Sequence, residues 1–116
     1  MAARPATIGR MTDDDVFSLL VDDDLAPVEV GPGCLIRDLP GPGAVRMWVV
    51  DMAPGSRWPH VDHHPTGEGV YVLSGELIEG DRRYGPGTWL RFAPGSSHQP
   101  RTDSGVRLLG YNPAVL

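Results

Sequence analysis

From Val28 onward the chain runs in short apolar or alternating segments broken by glycine and proline, mostly without helical spacing. Cys34 to Leu39, Ala44 to Met52, Gly69 to Leu73, Glu76 to Glu79, Thr88 to Phe92 and Val106 to Tyr111 have strand length. Gly31-Pro32-Gly33, Gly41-Pro42-Gly43 and Gly85-Pro86-Gly87, with Pro54-Gly55 and Pro94-Gly95, mark turns between them. Gly80-Asp81 separates Leu77-Ile78-Glu79 from Arg82-Arg83-Tyr84 and predicts a hairpin tip. Many short strands with frequent turns predict an all-β antiparallel sandwich or barrel, and the periodicity alone does not choose between the two.

Before Val28 the texture differs. Thr12 precedes Asp13-Asp14-Asp15 and then Val16, Phe17, Leu19 and Leu20, which predicts a short helix capped by Thr12 with an acidic first turn. Asp22-Asp23-Asp24 then ends the apolar run. These triplets lack the spaced oxygen ligands and turn glycine of an EF-hand loop, so they read as solvated acidic surface. The expected organisation is an N-terminal arm with a short helix over residues 1–27 and a barrel over 28–116.

One stretch stands apart for its chemistry. Pro59 to Gly75 holds three of the four histidines, His60, His63 and His64, along with Asp62 and Glu68. In an extended segment His60, Asp62 and His64 share one face, because side chains alternate across a strand, and His63 points the other way. His98, in Pro94-Gly95-Ser96-Ser97-His98, supplies a second polar site. Imidazole and carboxylate groups converging from neighbouring strands suit Zn²⁺, Fe²⁺, Ni²⁺ or Mn²⁺.

These residues resemble the two motifs of the cupin superfamily. His64 precedes Glu68 by the family's three-residue gap and Glu68 precedes Gly75 by its six-residue gap. Ala93-Pro94-Gly95, two residues and then His98 resemble the second motif. His64-Pro65-Thr66-Gly67-Glu68-Gly69-Val70-Tyr71-Val72-Leu73-Ser74-Gly75, Tyr84 to Arg91 and Ala93 to His98 are closest to the ChrR-type branch and related small cupins. The resemblance implies a double-stranded β-helix, an RmlC-like jelly-roll barrel, with a divalent metal held by Asp62, His64, Glu68 and His98. Asp62 stands where the family has the first histidine of its HxH pair, and Thr102 where its second motif ends in asparagine. His60 is then a candidate proton shuttle or alternative ligand, and His63 an outer neighbour of the ligands or an alternative ligand.

Composition narrows the partners. The 116 residues suffice for one domain. A net charge of −5, with ten arginines scattered along the chain, offers no basic stripe for nucleic acid. The single cysteine, Cys34, allows no internal disulfide and sits beside apolar Leu35 and Ile36, as a small buried hydrophobe would. No apolar stretch is long enough to span a bilayer, and Met1 to Arg10 lacks the apolar core of a signal peptide, which sets the expectation of a cytoplasmic protein. Trp48, Trp58 and Trp89 are read as core or as cavity lining, and Arg91 or Tyr71, if inward, as holders of an anionic substrate.

Function is read from the resemblance. Small cupins include metal-dependent dioxygenases and Lewis-acid isomerases or polyketide cyclases, which implies a small-molecule enzyme acting on an enolisable or aromatic substrate. The alternative is a ligand- or metal-sensing module without turnover, as in ChrR, where the cupin domain is joined to a zinc-binding anti-sigma domain that is not visible here. A homodimer is the habit of the families it resembles.

Overall fold

The computed structural model describes residues 10–11, 16–41 and 43–113. Its main layer is a six-stranded sheet in the order β10-β7-β12-β5-β4-β3, formed by β3 (Val28–Gly31), β4 (Cys34–Leu39), β5 (Val45–Met52), β7 (Glu68–Gly75), β10 (Trp89–Phe92) and β12 (Val106–Pro113). All of its pairings are antiparallel. The long strands β5 and β12 pair without a register break, Val106 opposite Met52 through Pro113 opposite Val45.

The facing layer is more broken. It contains the pair β6 (Asp62–His64) with β11 (Ser96–His98) and the hairpin β8 (Leu77–Glu79) with β9 (Arg82–Tyr84), whose tip is Gly80-Asp81 as the sequence predicts. Backbone bonds stitch these pieces together. The Trp58 amide donates to Pro100 O at 2.8 Å, Ile78 to Arg101 O at 2.8 Å, and Thr102 to Ser56 O at 3.0 Å. Thr102 is almost wholly buried. Its hydroxyl donates to Glu76 O at 2.6 Å and accepts from the Gly105 amide at 3.0 Å, which fixes the corner where the chain returns to the main sheet.

Between the layers lies one core of Cys34, Trp48, Val50, Met52, Val70, Val72, Leu77, Val106 and Leu108. Alternation along β5 explains the division. Trp48, Val50 and Met52 join the core, while Asp51 between them faces outward and accepts from Arg37 and Arg107. Gly110 lies opposite Trp48, and a Cβ there would come within 2.5 Å of the indole. The glycine is therefore what lets this tryptophan lie flat against β12.

Strand boundaries move by a residue or two from the sequence reading, as element ends do. β7 gains Glu68, Ser74 and Gly75, and β12 runs on to Pro113. The N-terminal expectation needs a correction. Phe17–Ser18 (β2) pairs as a strand with Arg10–Met11 (β1), and the helical turn α1 comes later, at Val21–Asp24, and takes in the second acidic triplet. Contacts from distant arginines account for the shift: Arg107 pairs with Asp22, and Arg37 Nε donates to Leu25 O at 2.9 Å, so the turn is held on the outer face of the sheet. Asp24 also accepts from the Leu20 amide at 2.8 Å. Thr12, Asp13 to Asp15 and the end of the tail, 114–116, lie outside the described residues.

Candidate metal centre

β6 and β11 bring the two polar motifs together. Their register sets His98 opposite Asp62, Ser97 opposite His63 and Ser96 opposite His64. Asp62 and His64 thus share a face with Ser96 and His98, whereas His63 points the other way and is exposed, as the alternation predicts. Pro65 and Thr66 turn the chain, and Gly67 completes the turn at φ +86°, its amide donating to His64 O at 3.2 Å. A side chain there would be strained, so the short link that delivers Glu68 to the same place depends on glycine.

Asp62, His64, Glu68 and His98 each present one ligand atom, all within 4.8 Å of one another. His64 Nε2 is 3.0 Å from Glu68 Oε2 and 3.3 Å from Asp62 Oδ2. His98 Nε2 is 3.7 Å from Glu68 Oε2 and 3.9 Å from Asp62 Oδ2. Two atoms each about 2.0–2.2 Å from a shared ion lie no more than about 4.4 Å apart, and these four separations meet that condition. Two imidazole nitrogens with two carboxylate oxygens form a donor set suited to a divalent first-row ion.

Both imidazoles are held from behind. His64 Nδ1 is 3.3 Å from Ser96 Oγ, and His98 Nδ1 is 2.5 Å from Glu79 Oε1, which leaves both Nε2 atoms aimed at the carboxylates. Phe92 packs against the rings, its centroid 4.3 Å from His98 and 5.2 Å from His64. Burial disfavours a charged His98, but hydrogen bonds to Glu68 and Glu79 outweigh it and push its pKa up to about 9 in the metal-free protein. Sequence reading missed Glu79, Ser96 and Phe92. Glu79 carries no motif, and only the docking of the β8-β9 hairpin beside β11 reveals it.

The cluster lies in a cavity of about 260 Å³ whose walls include Val30, Ile36, Trp48, Trp58 and Leu108. His60 and His63, both exposed, also line this space and are not members of the four-residue cluster. Two of the three tryptophans face the cavity. The third, Trp89, is 54% exposed and stacks on Tyr111. Tyr71 lies opposite Trp89 on the outer surface, and Arg91 is likewise exposed and absent from the lining, so neither serves as an anion holder inside. A second cleft, about 430 Å³, lies by Glu29, Asp51, Ser74 and Arg107 and contains no histidine.

Solved structures share this architecture. The chain is similar to a chain in the crystal structure of Rhodobacter sphaeroides SigE in complex with the anti-sigma ChrR, with a TM-score of 0.70 and 21% identity over 78% of this chain and 50% of that one. An RmlC-like cupin from Shewanella frigidimarina gives 0.68 and 16%, covering 78% and 85%. The polyketide cyclase RemF from Streptomyces resistomycificus gives 0.66 and 22%, covering 79% and 75%. The chain thus spans half the length of the first of these. No curated protein matches it. The barrel is a cupin fold, and because the ChrR cupin-like domain family matches residues 24–112, the chain belongs to that family.

Proposed function

We propose that the protein binds a divalent metal through Asp62, His64, Glu68 and His98 and acts on a small molecule in the cavity beside it. The observation that supports this is the convergence of four ligand atoms, from β6, β7 and β11, in a largely apolar cavity. Zinc, iron, nickel and manganese all suit the donor set. A bound ion would supply Lewis acidity or, as Fe²⁺, redox chemistry with O₂. The chain's own groups do the rest: Glu79 and Ser96 orient the imidazoles, Phe92 shields them from water, and His60 moves a proton at the cavity mouth. On this reading the reaction is a dioxygenation, or a cyclisation or isomerisation, of an enolisable or aromatic substrate.

The family match favours a second reading, a ligand- or metal-sensing unit without turnover that works with a partner protein. The division into an arm over 1–27 and a barrel over 28–116, a homodimeric state and a cytoplasmic location complete the proposal. Among the described residues no helix is long and apolar enough to cross a membrane. Metal analysis of protein purified without added metal, followed by assays of oxygen consumption and product formation on diketones and aromatic polyketides, tests both readings. Stoichiometric metal with turnover supports the enzyme, tight metal with no turnover supports the sensor, and absence of metal overturns the enzyme and the metal sensor alike.

A further inference from the structure

We infer that the site selects an uncharged, single-ring molecule bearing a carbonyl or hydroxyl oxygen, and that Asp62 sets this preference. The inference rests on the proposal that a divalent ion sits among the four side chains. Ligands bind metal in their deprotonated forms, so Asp62 and Glu68 contribute two negative charges and His64 and His98 none. Around a divalent ion these sum to no net charge. An anion therefore meets no excess positive charge at the centre, and Asp62 is half-exposed toward the space it would enter.

The rest of the cavity does not restore one. Among the described residues Arg46 is the only arginine in the lining, and the chain has no lysine. Its Nε and Nη2 donate to Asp38 at 3.2 and 3.0 Å, and its guanidinium lies 5.5 Å from the centre of the Trp48 ring. That cation is already paired. Apolar walls make a buried, unpaired negative charge costly, while a neutral oxygen needs only a hydrogen bond. A neutral carbonyl or hydroxyl oxygen would instead find its partner in the ion itself, which polarises such an oxygen without any further cation. Size limits the ligand further. The cavity of about 260 Å³ exceeds the ~150 Å³ that holds benzene and falls below the ~300–1,000 Å³ of ordinary ligand sites, which fits one ring with a short substituent.

Benzamide and benzoate have nearly the same shape and differ by one charge. Calorimetric titration of the zinc-loaded protein should show benzamide binding about tenfold tighter than benzoate. Asp62→Asn and Asp62→His each raise the charge of the centre by one and should close or reverse that gap. Zinc content, measured before any ligand is added, separates the two levels of the argument. A wild-type protein that takes up no zinc overturns the metal reading and this inference with it. With zinc bound, benzoate binding as tightly as benzamide, an unchanged gap in a zinc-loaded variant, or no binding of either ligand at millimolar concentration overturns the inference alone. If neither variant retains zinc, the wild-type comparison decides.

Discussion

Glu79 Oε1 accepts a hydrogen bond from His98 Nδ1 at 2.5 Å, and through that bond the end of β8 sets the direction of an imidazole on a different strand. A carboxylate behind a ligating histidine fixes its tautomer and raises its basicity, and losing one typically costs about 10–100-fold in metal affinity. Glu79→Ala should fall in that range, measured by competition with a chelating dye. Glu79→Gln keeps an acceptor in place and should lose less. Equal, negligible losses in both would show that His98 needs no such support.

His98 is the one histidine contributed from outside the Pro59–Gly75 stretch. His98→Ala should lose most bound metal while circular dichroism still reports the β fold, since the side chain belongs to none of the core positions. Unchanged metal content would mean that the ion sits elsewhere.

Acidity should act in opposite directions on the metal-free and metal-loaded forms. His98 is raised from 6.5 to about 9, so its contribution to metal-free stability, on the order of 3 kcal/mol, is fully present below pH 6.5 and lost as pH rises through 9. Metal must displace that proton, so affinity should climb by up to about tenfold per pH unit between those values. Denaturant melts of the apo protein and metal titrations across pH 6 to 10 check the two slopes.

The proposed ligand set is open to test at Asp62. Asp62→Ala should weaken metal binding, and His60→Ala and His63→Ala should leave it unchanged, because neither histidine belongs to the cluster. Full occupancy in Asp62→Ala would hand the fourth position to one of them.

Gly110→Ala should destabilise the fold by about 1–3 kcal/mol, read as a lower Tm, because its methyl would meet the Trp48 indole at 2.5 Å. It should also disturb the cavity, which that indole lines.

Much of this arrangement is legible along the chain. Turn residues punctuate the strands, and the alternation of Asp62, His63 and His64 tells which side chains face together. Their convergence with His98 follows from the family spacing. Four other features are not local properties. The extended state of Phe17–Ser18 depends on pairing with β1, and the helical turn at Val21–Asp24 on arginines far away in the sequence. Strand β11 is hard to see because Ser96-Ser97-His98 has no apolar pattern, and it is recognised only by its partner β6. Glu79 is one charged residue among many until the hairpin folds beside His98.

The ion pairs on the outer face of the main sheet bear on where the barrel can be cut. Arg37 and Arg107 both reach Asp51, and both also have Asp22 within ion-pairing distance. A fragment beginning at Val28 would keep both guanidinium groups and discard one of their two counter-charges. Two cations crowded on a single carboxylate would then strain β4, β5 and β12 together, the strands that carry Ile36, Trp48 and Leu108 into the cavity. The first turn of chain before the barrel is in this sense a latch whose removal would be felt at the far side of the sheet.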